Sequence, residues 1–251
     1  MRTLRTLLWQ PAAADAMPVV VLAHGFGALP EDFDAFAGNV AAAGFIVAAP
    51  EFPLTNRNPP GERLGINDLN NQPGDLSFVI TQLLQAASTA GDPLHGRIVA
   101  GDVAVIGQSL GGATVIGLTR KNCCRDPRVR ASILSAAPLL PFFGPDPLSA
   151  SGPPTLILHG TADTTVGFAT ATQLYNLIAP PRFLVGLQGA GHSDALESQV
   201  EPPIAARDAG QRATVAFLNA VFRGGASELD ATLAALAAQG NDVQADPGVG
   251  H

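Results

Sequence analysis

Lysine is almost missing from this sequence. Of 14 basic residues in a chain of 251, only Lys121 is a lysine, and no four basic residues are consecutive. With 21 acidic residues the formal net charge is -7, so no positive field is available to gather phosphates and a nucleic-acid partner is not expected. Charged residues of either sign reach only 14%, whereas apolar residues stand at 47%. A chain that poor in charge can bury a core and does not read as disordered. Long apolar runs are also absent: runs such as 19–23 and 45–49 span about five residues against the roughly 20 that cross a bilayer. No integral membrane segment is expected.

Cysteine is limited to the neighbours Cys123 and Cys124. A bridge between them would close only a small ring and lock no long loop, and the spaced pairs of a metal site are lacking. They are expected to be two small, partly buried thiols at the end of a helix. None of the five histidines forms an H-x-H or H-x-x-x-H pair, so a metal hydrolase is disfavoured and the expectation is no metal and no cofactor. At the N-terminus Arg2 and Arg5 run into Trp9-Gln10-Pro11 without an apolar core, unlike a signal peptide. The compartment therefore stays open: cytoplasmic by that absence, secreted if a leader precedes the chain.

Short β-type runs alternate with longer helical segments, the pattern of a mostly parallel sheet covered by helices on both faces. Seven strands are expected, at 4–9, 19–23, 45–49, 103–106, 132–136, 155–159 and 183–187. Several are apolar on consecutive positions, as suits strands buried on both sides. Helices are expected around Phe33, Phe36 and Val40 before Gly44, around Leu76 to Leu84 behind Asp75 as N-cap, directly after Ser109, and around Thr214 to Val221. A last one carries Leu229, Leu233 and Leu236 behind Ser227 and Asp230, which have capping-box spacing. The whole reads as one α/β domain over 1–240 and a polar tail over 241–251. Two stretches break the alternation. Residues 53–74 are rich in Asn, Pro and Gly, and loops of that length are usually functional or mobile. Residues 139–154 hold Phe142, Phe143 and five prolines.

Gly107-Gln108-Ser109-Leu110-Gly111-Gly112 contains the pattern G-x-S-x-G. It is weak alone, but here it follows the apolar run 103–106 and precedes a helical one, the strand, tight turn and helix of a nucleophile elbow. A serine on such a turn, expected at positive φ, needs neighbours without side chains, and Gly107 and Gly111 meet that need. The turn also aims the first amides of the next helix at the serine, where the positive end of the helix dipole favours an oxyanion. Leu110 N–H is one expected donor. Phe26 N–H, in the loop His24-Gly25-Phe26-Gly27 that follows the strand 19–23, is the other.

On these residues the chain resembles an α/β-hydrolase serine esterase, over most of its length from Val19 to Phe222. The resemblance implies a triad in the order Ser, acid, His, each on a loop after a strand. Ser109 would be the nucleophile, Asp163 in His159-Gly160-Thr161-Ala162-Asp163 the acid, and His192 in Gly189-Ala190-Gly191-His192 the base. The types fit: a neutral imidazole takes the serine proton, and a carboxylate behind it fixes the tautomer. No carboxylate follows the preceding strand, in Ser135-Ala136-Ala137-Pro138. Asp32, Asp34 and Asp194 read as structural, His24 and His159 as ordering loops.

The segments 52–56 and 67–75 are similar to bacterial esterases of the branch around dienelactone hydrolase, platelet-activating-factor acetylhydrolase and polyester hydrolases. Ser109 departs from the cysteine of true dienelactone hydrolases, which leaves an acyl-enzyme route. The 139–154 connection is too short for a cap domain, so an open cleft is expected, with Phe26, Leu110, Leu139, Phe142, Phe143, Val166 and Phe168 as an apolar wall. The expected activity is hydrolysis of small-molecule or polymeric carboxylic esters. An acyltransferase with the same residues and a non-catalytic ligand-binding member of the fold remain alternatives, and the oligomeric state is not legible.

Overall fold

The computed structural model describes residues 3–13, 15–59, 64–197 and 204–248. Among them eight strands form one sheet: β1 (Thr6–Trp9), β2 (Met17–Ala23), β3 (Ile46–Pro50), β4 (Ile98–Gln108), β5 (Val129–Ser135), β6 (Thr155–Gly160), β7 (Arg182–Leu187) and β8 (Asp242–Asp246). Their order is β1-β3-β2-β4-β5-β6-β7-β8. The six inner strands run parallel, and β1 and β8 close the two edges antiparallel. Every residue of β2, β3 and β6 is buried, which is why their apolar runs are continuous rather than alternating.

Among the described residues six α-helices cover the sheet: α1 (Asp34–Ala42), α2 (Gln72–Ser88), α3 (Leu110–Arg120), α4 (Ala169–Leu177), α5 (Ile204–Arg223) and α6 (Ala226–Ala238). Strand side chains divide between the faces by parity. Val20 and Leu22 join Phe36 of α1, Phe217 of α5 and Leu233 of α6 in one core. Val19 and Val21 join Leu76 and Ile80 of α2, Val115 of α3 and Leu174 of α4 in the other. The α/β architecture with helices on both faces is thus the observed one. No described helix is long and apolar enough to cross a membrane.

Four expectations are corrected. The stretch from Gly240 is not a tail: Asp242–Asp246 pairs with β7 as β8, with Val243 packed against a core. Backbone pairing at a sheet edge asks little of side chains, so the polar composition concealed it. Asp75 is not the N-cap of its helix, since α2 begins at Gln72 and takes Pro73 into its first turn, a position where proline is tolerated. Ser227 lies inside α6, whose N-cap is Gly225, so the capping-box spacing is unused. Cys123 and Cys124 are joined in a disulfide just beyond α3 rather than standing as thiols. Of the two irregular stretches, 53–74 contains a 3₁₀ turn at Ile66–Asn70, and its residues 60–63 lie outside the described residues, as do Arg2 and residues 249–251.

The 139–154 connection is irregular as expected, and a buried cation fixes it. Arg120, at the end of α3 and 1% exposed, donates to the carbonyls of Ala150 and Pro153 and to Thr155 Oγ1. Burial lowers its pKa to about 10, still far above neutrality, so the guanidinium stays charged and the carbonyl dipoles balance it.

Candidate active site

The C-terminal ends of β2, β4, β6 and β7 deliver four loops to one rim of the sheet, the edge where open α/β folds bind ligands. β4 passes into α3 through Ser109 alone, which has φ 52° and ψ -120°. Such a conformation costs a non-glycine residue energy and persists only where its surroundings enforce it. They do so here: Ser109 N–H donates to the Ser135 carbonyl at 2.8 Å, and its own carbonyl accepts from Gly112 and Ala113. Close approach does the rest, since a Cβ on Gly111 would lie 2.1 Å from the Ala23 carbonyl oxygen. The elbow therefore locks against β2 only because that position has no side chain.

Ser109 Oγ lies 2.8 Å from His192 Nε2, and His192 Nδ1 lies 2.7 Å from Asp163 Oδ2. A carboxylate only accepts, so Nδ1 carries the ring proton and Nε2 is free to accept the serine hydroxyl. Asp163 is buried. Its Oδ1 accepts the amides of Thr165 and Val166 at 2.8 and 2.9 Å. Burial pushes the Asp163 carboxyl up, but the His192 bond and these amides outweigh it and hold the group below the usual carboxylate range. It is an anion with its lone pairs engaged. Together the three side chains can take a proton from a hydroxyl and steady the resulting imidazolium.

The loop after β2 closes against the elbow. A Cβ on Gly25 would fall 3.2 Å from Ser109 Cβ and 2.3 Å from Gln108 Oε1. His24 anchors this loop: its Nε2 accepts the Phe52 amide at 2.9 Å, so Nδ1 carries the proton and donates to the Gly25 carbonyl at 2.8 Å. Burial drives the His24 pKa down to about 4, against the Gly25 bond and nearby carboxylates. Phe26 and Leu110, the two expected amide donors, thus flank Ser109 from the β2 loop and from the first turn of α3, whose leading amides have no intrahelical acceptor.

The apolar wall is a different matter. The cleft at Ser109, of about 170 Å³, is lined by Phe26, Gly27, Ala28, Asp32, Arg57, Gln108, His192, Ser193 and Glu197. Phe142, Phe143, Val166 and Phe168 are not among them, and their assignment to the pocket is corrected. Phe143 is buried against α3, where it touches Gly117, and tilts against Phe142 in a cluster with Leu69 and Ala113. Val166 acts through its backbone on Asp163. Phe168 packs edge-on against His159 and over Gly186. These loops turn their aromatics toward core vacancies, because burying a phenyl ring there gains more than leaving it in an open cleft.

Sequence reasoning missed the polar lining. Buried Asp32 pairs with Arg57 of the 53–74 loop and accepts the Leu29 amide. Glu197 is pushed up by burial and by the Asp32 charge, against a Ser193 hydrogen bond. Gln108, 2% exposed, reaches the His192 carbonyl with Nε2 at 3.4 Å. Of these, only Gln108 had a signal, as the last strand residue before the elbow. Asp194 is structural as expected, its carboxylate accepting the Gly191 amide. Among the described residues no group of three or more His, Cys, Asp or Glu could hold a metal ion.

Comparison with known proteins adds one finding. The family model described as the alpha/beta hydrolase family matches residues 20–251. No curated protein matches the chain.

Proposed function

Because the chain belongs to the alpha/beta hydrolase family, whose members are usually hydrolases, we infer that it is a serine hydrolase that cleaves carboxylic esters through an acyl-enzyme. The observation that carries this reading is the unbroken hydrogen-bond path from Ser109 through His192 to buried, ionised Asp163. In the first half-reaction Ser109 Oγ attacks the ester carbonyl while His192 Nε2 takes its proton. The tetrahedral oxyanion is held by the amides of Phe26 and Leu110, with the α3 dipole behind the latter. His192 then returns the proton to the departing alkoxide, leaving an acyl group on Ser109. Water repeats the sequence: it adds to the acyl carbonyl, gives its proton to His192, and the Ser109 oxygen leaves reprotonated. Asp163 keeps the imidazole in one tautomer and remains an anion throughout.

The small, polar cleft supports short or polar acyl groups over long lipid chains. The likeness of 52–56 and 67–75 to the branch of dienelactone, platelet-activating-factor and polyester hydrolases is part of the proposal, with the accent on its short-chain members. The test is Ser109→Ala assayed on p-nitrophenyl esters from acetate to palmitate, with fluorophosphonate labelling and circular dichroism alongside. Loss of turnover and labelling with a native spectrum is expected, and in the native enzyme a fall in kcat/KM beyond butyrate. Retention of about a tenth of the activity would remove Ser109 from the chemistry, because loss of a nucleophile costs orders of magnitude.

A further inference from the structure

The relay leaves one buried imidazole without a task. His159, next to last in β6, has a fully buried side chain whose Nε2 lies 2.7 Å from the Val166 carbonyl oxygen and 3.3 Å from Asp163 Oδ2. Both neighbours only accept, so the proton sits on Nε2 and the ring is neutral. Burial lowers its pKa, opposed by the Val166 carbonyl and the Asp163 charge. Nδ1 has no hydrogen-bond partner among the described residues. A buried nitrogen without a partner is destabilising, so a ring kept for packing against Phe168 alone would serve better as phenylalanine. The gain must come from the N–H side.

That side touches the acid. Asp163 Oδ2 receives His192 Nδ1–H at 2.7 Å, and His159 Nε2–H approaches the same oxygen. The Val166 carbonyl takes the His159 proton while the Val166 amide holds Oδ1, so His159 is tied to Asp163 through Val166 and stands beside its Oδ2. We propose that His159 is a positioning residue for the reaction: its Nε2–H fixes the Asp163 carboxylate and draws charge from the oxygen that faces His192. The proposal rests on the reading of Asp163 and His192 as the relay. Through that oxygen His159 limits how strongly Asp163 favours the protonated form of His192. The other charged groups facing His192 are Asp32, Arg57 and Glu197 across the cleft, and a change at His159 leaves all three in place.

Two variants test this on p-nitrophenyl butyrate. His159→Phe keeps the ring and removes the donor, whereas His159→Gln can set an amide N–H near the Nε2 position. In His159→Phe the acidic limb of the kcat/KM profile should move to higher pH by about half a unit, with kcat down about tenfold and KM within about twofold. His159→Gln should restore the limb. A limb that stays in place or moves down in His159→Phe, or that His159→Gln does not restore, overturns the proposal. Nitrogen-15 histidine spectra of the native enzyme give an arm that no folding defect can reach. They should show one neutral Nε2–H ring that takes up a second proton only at lower pH than a free imidazole does and whose signals vanish in His159→Gln. A ring that titrates like a free imidazole, or an Nδ1–H tautomer there, sinks it. Failure of Ser109→Ala to abolish hydrolysis would instead sink the esterase reading and leave the tautomer result standing.

Discussion

The molecule has a large apolar hollow and a small polar cleft, at opposite rims of its sheet. The hollow, about 540 Å³, lies where β5, β6 and β7 begin and is walled by Pro154, Pro181, Phe183, Phe217, Val221 and Leu229. The cleft at Ser109 is about 170 Å³ and largely polar. Size alone would put function at the first. Yet everything in the hollow is explained by packing: its aromatics are core residues, and the prolines stand where a strand starts and a missing N–H costs little. At the cleft and directly behind it stand a serine at positive φ, a buried carboxylate and a buried half-paired imidazole. Each costs stability and survives because the neighbouring loops over-determine it. Local cost, more than volume, distinguishes the cleft from the hollow, and Phe143 carries a positive φ outside both.

The sharpest break in this contrast would come from Asp163→Asn set against Val221→Ala. The first should lower kcat by about 10³ to 10⁴ through the wrong imidazole tautomer, with the fold retained, and the second should leave kcat/KM within about twofold. A loss above tenfold from Val221→Ala would tie the hollow to catalysis and undo the comparison. A smaller effect comes from the close approach between the acid and histidine loops. A Cβ on Gly160 would lie 2.2 Å from the Ala190 carbonyl oxygen, whereas one on Gly167 would meet open space. Gly160→Ala should cost about 10² in kcat/KM by displacing His192 from Asp163, and Gly167→Ala almost nothing. Equal kinetics for the two would show that the loops tolerate separation.

The mildest effect is one of pH on stability. His24 is ordinarily protonated near pH 6.5 but in the fold only at about 4, so between these values the unfolded chain binds the extra proton. The contribution is fully present above about pH 6.5 and is lost as pH falls toward 4, with a ceiling of about 3 kcal/mol. Urea denaturation of His24→Gln should therefore show a flatter acid limb than the native enzyme. Parallel limbs would mean that other groups govern the acid sensitivity.

All seven expected strands exist, since runs such as Val19-Val20-Val21-Leu22 carry their own signal of two-sided burial. β8 escaped because its side chains bear no such mark and its partner supplies the pairing. The bond between Cys123 and Cys124 escaped because adjacency reads alike for thiols and for a disulfide. Gly107 and Gly111 made the elbow visible, steric demand on a backbone being a local property. The Asp32–Arg57 pair and the role of Phe143 stayed hidden: residues 53–74 and 139–154 have no period, and what they face depends on where buried anchors such as Arg120 tie them.

Local chemistry, then, was written along the chain: which runs are strands, where the serine turn lies, and the order in which Ser109, Asp163 and His192 follow one another. Tertiary structure alone decided what those residues touch. Partners 29 and 83 positions apart met at hydrogen-bond distance, and the expected aromatic wall turned inward to leave a polar cleft. The reason is physical: propensity and steric demand act between neighbours in sequence, whereas burial and charge pairing act between neighbours in space, and only the closed sheet determines who those are.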